Sequence, residues 1–138
     1  MRMILPLVAL AGLAGCGRDG PAEPILSLAP RYVAVSAGGA SLPTVVQEEP
    51  YREELLGGRL QFSADGSCTL ALEVRTTEVD RIREWTYGGD CTYTPRAGAV
   101  RLDVERIGPF ELRSTDDRLV MEPSPGGGLE IVFAPTAD

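Results

Sequence analysis

Cysteine is the residue type with the clearest chemistry in this chain, because histidine and lysine are both missing from the sequence. The three cysteines are Cys16, Cys68 and Cys91. Without histidine there is no Ser–His or Cys–His pair for nucleophilic catalysis and no imidazole ligand for a metal. Without lysine there is no Schiff-base amine and no phosphate-binding lysine of the P-loop type. We therefore expect a protein that is not an enzyme and that uses no cofactor and no metal.

The acidic residues do not point to a catalytic or metal site either. The densest cluster is formed by Glu48, Glu49, Glu53 and Glu54. A calcium loop or a glycosidase carboxylate pair would use such residues, but the spacing of a calcium-binding loop is absent, and we interpret the cluster as a solvated loop. The net charge of −7 makes the chain a poor ligand for nucleic acid.

The first residues have the layout of an export signal. One positive charge at Arg2 is followed by an uncharged run from Ile4 to Gly17 that ends in small residues. A membrane-spanning helix needs about 20 apolar residues, and this run is shorter.

The end of that run, Leu13-Ala14-Gly15-Cys16, resembles the lipobox of bacterial lipoproteins. In that family the chain is cut before the cysteine, whose sulfur and new amino group then carry acyl chains. The resemblance implies a signal peptide over residues 1–15, a lipidated Cys16, and attachment to a membrane of the cell envelope. Gly17 stands where an Asp would resemble an inner-membrane retention signal, which favours the outer membrane if the source has one.

Residues 16–30 are rich in Pro and Gly and are typical of an extended tether between bilayer and domain. Ile25, Leu26 and Leu28 are apolar, so docking of this segment on the domain stays open as the alternative.

Residues 31–135 predict one all-β domain. Nine short runs of alternating apolar residues are each followed by Gly, Pro or Asp, as in an antiparallel meander. An up-and-down barrel of about eight or nine short strands would leave no exposed strand edge. Alternate residues such as Val33, Val35 and Leu60 are expected inside. Pro50–Leu56 fits either one or two helical turns or a strand that bends at Gly57-Gly58, and we favour the strand.

Cys68 and Cys91 are an even pair in an oxidising compartment once Cys16 is assigned to lipid, which favours a disulfide. A hairpin turning at Val79-Asp80 would place the two cysteines opposite each other. The same register puts Leu72 and Trp85 on the cysteine face and charged residues on the other face, whereas a slip by one residue would scramble both.

The domain also resembles small bacterial lipoproteins with a lipocalin-like barrel. The matching segments, which together cover most of residues 31–134, are Tyr32-Val33-Ala34-Val35-Ser36 with Leu42-Pro43, Gly58-Arg59-Leu60-Gln61-Phe62 with Asp65-Gly66-Ser67, Cys91-Thr92-Tyr93-Thr94, and Leu129-Glu130-Ile131-Val132-Phe133. The Gly-x-Trp motif near the N-terminus of true lipocalins is absent.

Five side chains are candidates for lining a ligand-binding mouth, since aromatic groups often do so: Phe62, Leu72, Trp85, Tyr87 and Tyr93. As core packing these side chains need no such role, and we favour a solid or nearly solid interior over one that holds a small apolar ligand. The main functional hypothesis is a membrane-anchored carrier or sensor of a small apolar ligand. The second is a structural lipoprotein that binds an envelope protein through an exposed apolar patch near Val45, Val46 and Leu55, or through an unprotected strand edge.

Overall fold

The computed structural model describes residues 26–122 and 129–137. The predicted signal peptide, Cys16 and the first part of the predicted tether lie outside the described residues. Within the described ranges the chain forms strands, turns and loops without a helix, and Pro50–Leu56 contributes to a strand, as favoured above. None of these residues belongs to a helix long and apolar enough to cross a bilayer.

The described residues form ten strands. They are β1 Arg31–Ala37, β2 Ala40–Ser41, β3 Thr44–Gln47, β4 Arg52–Phe62, β5 Ser67–Glu78, β6 Arg81–Arg96, β7 Ala99–Val104, β8 Gly108–Thr115, β9 Arg118–Met121 and β10 Ile131–Pro135.

Eight of these strands close into an antiparallel up-and-down barrel, which confirms the predicted fold class. From β4 to β10 each strand pairs with the next in sequence, and β1 pairs with both β10 and β4. Tyr32 opposite Leu60 lies in the pairing that closes the ring. The short strand β2 pairs with the end of β1, and β3 pairs with the first residues of β4. Both strands therefore lie outside the ring.

The β5–β6 hairpin has the predicted register. Glu78 lies opposite Arg81, and Cys68 lies opposite Cys91 with their Cα atoms 4.9 Å apart. The two cysteines form the predicted disulfide. On the outer face, the Arg75 guanidinium lies 2.9 Å from the Glu84 carboxylate, and this hydrogen-bonded pair raises the pKa of Arg75.

The predicted interior is largely confirmed, but the inward face of β1 was predicted wrongly. Tyr32 is 5% exposed and Val33 is 39% exposed, although Val33 was expected inside. Both faces of β1 carry apolar residues, so alternation alone does not define its inward face. The Tyr32 ring packs edge-on against Phe62 with ring centroids 5.8 Å apart, and burying this larger side chain sets the face.

Candidate functional site

The barrel is tall on one side and short on the other. Strands β4, β5 and β6 have 11, 12 and 16 residues, whereas β7 to β10 have between 4 and 8. β6 pairs with β7 only from Cys91 onward, so residues 81–90 rise beyond the shorter wall. At about 3.3 Å per residue this extension is roughly 30 Å of strand.

A cavity of 340 Å³ lies between the tall wall and the ends of the short strands. That volume falls within the usual range of small-molecule pockets, about 300–1,000 Å³. Most of its lining is apolar or aromatic, and polar groups are few. The lining residues are Val46, Gln47, Glu53, Leu55, Leu72, Val74, Trp85, Tyr87, Phe110, Met121, Glu122, Leu129 and Ile131.

Three of the five predicted ligand-binding residues line this cavity, namely Leu72, Trp85 and Tyr87. The indole and phenol rings meet edge to face, with centroids 6.4 Å apart. Leu72 lies directly opposite Tyr87 in the β5–β6 ladder, which explains why the hairpin register brought these side chains together correctly.

The other two predicted residues, Phe62 and Tyr93, lie away from the cavity. Their rings pack against each other 4.8 Å apart near the β4–β5 turn, where the Tyr93 hydroxyl donates a 2.6 Å hydrogen bond to the Ser63 carbonyl oxygen. Between them and the cavity, the buried side chains of Leu60, Leu70 and Phe133 fill the barrel. Phe62 and Tyr93 therefore pack in the core at the opposite end.

A β-bulge in β4 decides which side chains of that strand enter the cavity. Leu55 lies opposite Val74 and Gly57 lies opposite Glu73, so Leu56 is the extra residue. Without the bulge, alternation would turn Leu56 and Glu54 inward. With it, Leu55 and Glu53 line the cavity. Sequence reasoning missed both residues, and the available signal was the Gly57-Gly58 pair, which had indicated a bend.

A hydrogen-bonded chain joins Glu53 to the indole of Trp85. Trp85 Nε1 donates to Thr76 Oγ1 at 2.9 Å, and the Thr76 hydroxyl in turn donates to Glu53 Oε2 at 3.5 Å. Thr76 is 4% exposed and is the buried polar side chain of the described residues. A buried hydroxyl needs such partners, and here they hold the Trp85 ring and the Glu53 carboxylate at the same cavity wall.

The acidic cluster is therefore not one solvated loop, as the sequence suggested. Glu48 and Glu49 are exposed beside β3, but Glu53 and Glu54 lie within β4. Glu54 points outward and lies 3.6 Å from the Arg75 guanidinium. In the described part of the chain, three or more potential metal-binding Cys, Asp or Glu side chains do not cluster anywhere.

Two carboxylates line the cavity in different electrostatic settings. Glu122 lies 2.7 Å from the Arg113 guanidinium, which also lies 3.5 Å from Glu130. Among residues 26–122 and 129–137, no arginine reaches salt-bridge distance of Glu53.

Comparison of the chain with protein-family models, curated proteins and solved structures finds no match. The site is therefore interpreted from its own geometry.

Proposed function

We propose that this protein is a lipid-anchored binding protein of the cell envelope whose barrel holds one small apolar molecule. The observation that carries the proposal is the 340 Å³ cavity with its apolar and aromatic lining. An apolar ligand entering it would leave water and cover the half-buried rings of Trp85 and Tyr87. Buried side chains of the core occupy the barrel interior next to this cavity, and we expect the ligand to bind at the cavity end.

The anchoring part of the proposal rests on the lipobox-like segment that ends at Cys16. Two or more acyl chains hold a protein firmly on a bilayer, at about 0.8 kcal/mol per buried methylene. Replacing Cys16 with Ser removes the acceptor, and we expect the protein to move from the membrane fraction to the soluble fraction of an exporting bacterial host. Retention of the Cys16→Ser protein in the membrane fraction would contradict the anchor.

The fold supports an orientation in which the cavity faces away from that anchor. The Leu26 amide donates a 2.8 Å hydrogen bond to the Arg96 carbonyl oxygen, at the end of the barrel opposite the cavity. Cys16 precedes Leu26 by ten positions, which can span at most about 35 Å. The ligand would then enter from the compartment rather than directly from the anchoring bilayer.

Ligand binding can be measured through Trp85, because it is the single tryptophan of the chain and lines the cavity. We expect a saturable change in its fluorescence when an eight-carbon alcohol is titrated into the domain. Native mass spectrometry of the protein from its own host should show a bound small molecule. Absence of both signals would contradict the proposed function.

Two matched substitutions give the control. Val74→Phe places a larger side chain in the cavity, so we expect it to abolish binding while the barrel stays folded. Tyr93→Phe changes a side chain at the filled end and should leave binding unchanged. Equal binding by the Val74→Phe and wild-type proteins would mean that the ligand occupies another site.

The second candidate function is contact with an envelope protein, and the tip of the β5–β6 hairpin favours it. Val79 and Ile82 are 104% and 67% exposed there. The patch predicted near Val45, Val46 and Leu55 is not such a surface, because Leu55 is buried and Val46 lines the cavity. We expect crosslinking in cells to a protein at the tip to be lost in Ile82→Arg while ligand binding persists. If crosslinking is unchanged, the tip is not the contact surface.

A further inference from the structure

The cavity lining includes one carboxylate, that of Glu53, which no arginine of the described residues approaches to salt-bridge distance. The polar residues of the lining are Gln47, Glu53 and Glu122, and Glu122 already pairs with Arg113. Glu53 is only half-exposed, and its one side-chain partner among the described residues is the neutral hydroxyl of Thr76. A carboxylate beside apolar surface is less solvated than in free water, so its attraction for a cation is strengthened.

The aromatic rings of the cavity favour the same charge. The faces of Trp and Tyr attract cations through the ring quadrupole, most strongly where water is excluded. One cation of the protein already lies over the indole, since the Arg83 guanidinium is 6.0 Å from its ring centroid and Arg83 lies opposite Thr76 in the β5–β6 ladder. Arg83 itself is exposed to solvent and is not part of the cavity lining.

We propose that the ligand is an apolar amine, whose hydrocarbon part fills the cavity and whose ammonium group pairs with the Glu53 carboxylate beside Trp85. This inference rests on the proposed function and adds the chemical class of the ligand. A neutral apolar molecule would leave the Glu53 charge without a partner. An anionic one, such as a fatty acid, would be repelled by Glu53 and could pair only with the solvated Arg83.

Three probes of equal chain length test the inference: octylammonium, 1-octanol and octanoate, each below its aggregation concentration and followed by Trp85 fluorescence. A charge-assisted hydrogen bond predicts that octylammonium binds at least about tenfold tighter than 1-octanol. Octanoate should bind more weakly than either. Equal binding of octylammonium and 1-octanol overturns the amine assignment while leaving the cavity function intact. Binding of none of the three overturns the cavity function as well.

Two Glu→Gln variants, each of which removes one negative charge, test whether Glu53 causes the preference for octylammonium over 1-octanol. Glu53→Gln keeps the shape and the hydrogen-bond acceptor for Thr76, and should make octylammonium and 1-octanol bind equally. The matched control is Glu73→Gln on the outer face of β5, where the carboxylate accepts a hydrogen bond from Thr86. This control should keep the tenfold preference. A preference that survives in Glu53→Gln, or is lost equally in Glu73→Gln, contradicts pairing at Glu53.

Discussion

The Asp65 carboxylate closes the turn between β4 and β5. It accepts hydrogen bonds from the Ser67 hydroxyl at 2.6 Å and from the Ser67 amide at 2.9 Å, and these lower the pKa of Asp65. Because both bonds favour the charged form, Ser67→Ala should raise that pKa toward its ordinary value. Carboxyl-carbon NMR during an acid titration measures it.

The sign of the linked pH effect follows from the lowered pKa. The stabilisation that the ionised Asp65 gives the turn is present at neutral pH and is lost as the pH falls through the pKa of the folded protein. The Ser67→Ala protein should therefore lose stability less steeply than the wild type in the acid range. An Asp65 pKa that does not respond to Ser67→Ala would show that the hydrogen bond from the Ser67 hydroxyl is not its cause.

At the scale of single residues, the sequence favoured a solid interior over a cavity, and it named cavity-lining residues only where the strand register was unambiguous. Leu72, Trp85 and Tyr87 were found because the charges and cysteines of the β5–β6 hairpin allow one register. Glu53 was missed because its inward position depends on the bulge at Leu56. A bulge changes side-chain parity without leaving a unique mark in the alternation pattern.

At the scale of strands, the Cys68–Cys91 disulfide links β5 to β6 at the end of the barrel opposite the cavity, where Cys68 lies opposite Phe62 of β4. The two cysteines are 23 positions apart. Closing a loop of that length restricts the unfolded chain and stabilises the fold by about 3 kcal/mol. We expect the reduced domain to have a free energy of unfolding that is lower by this amount. Its unfolding midpoint in urea should be lower as a result. Equal unfolding midpoints for the oxidised and reduced domains would contradict this contribution.

Gly88 lies where β6 rises beyond its partner β7. Its φ is +130°, and a Cβ atom there would overlap the carbonyl oxygen of Leu70 on the neighbouring strand. Since a backbone atom cannot move aside cheaply, Gly88→Ala should lower the free energy of unfolding by about 3 kcal/mol.

Gly89 provides the matched control for this prediction. Its φ is +155°, but a Cβ atom at Gly89 would meet nothing within 4 Å. Gly89→Ala should therefore carry only the backbone cost of about 1–2 kcal/mol. Denaturant unfolding of both variants measures the difference in their free energies of unfolding. Equal losses of free energy would mean that the strand shifts to relieve the overlap with Leu70.

The strands differ in how well their faces could be predicted. β5, and β6 from Glu84 to Cys91, carry their large apolar side chains on one face and charged or polar ones on the other, so each has one inward face. β1 is apolar on both faces and also contains a bulge between Ala34 and Ser36, so its inward residues could not be assigned from alternation. The two-residue strand β2 is too short to have a periodic pattern at all.

At the scale of the whole molecule, the turns and alternating runs predicted a closed meander, and the closure of β1 on β4 confirms it. What the sequence did not predict is the unequal height of the wall. That inequality depends on how far each neighbour extends, since β6 has 16 residues but β7 pairs with only its last part. The cavity is a consequence of this mismatch in strand length. The residue pattern of a single strand could therefore not predict it.

The end of the predicted tether is part of the folded domain, which leads to the last prediction. Leu26, Leu28 and Ala29 pack against the core, and the Ala29 amide donates a 3.0 Å hydrogen bond to the Tyr32 hydroxyl. A chain that begins at Pro30 loses these contacts, so it should be less stable than one that begins at Leu26 by roughly 2 kcal/mol.

The same pair of truncated chains separates stability from binding. The lost contacts lie at the end of the barrel opposite the cavity, around a separate pocket of 170 Å³. Both chains should therefore bind an apolar probe in the cavity equally under conditions where they are folded. Urea unfolding followed by Trp85 fluorescence measures the stability of each chain. Titration with the apolar probe measures its binding. Equal stability would mean that residues 26–29 contribute nothing. A loss of binding that exceeds the unfolded fraction would mean that the two ends are coupled, and the anchor could then influence the ligand site from across the barrel.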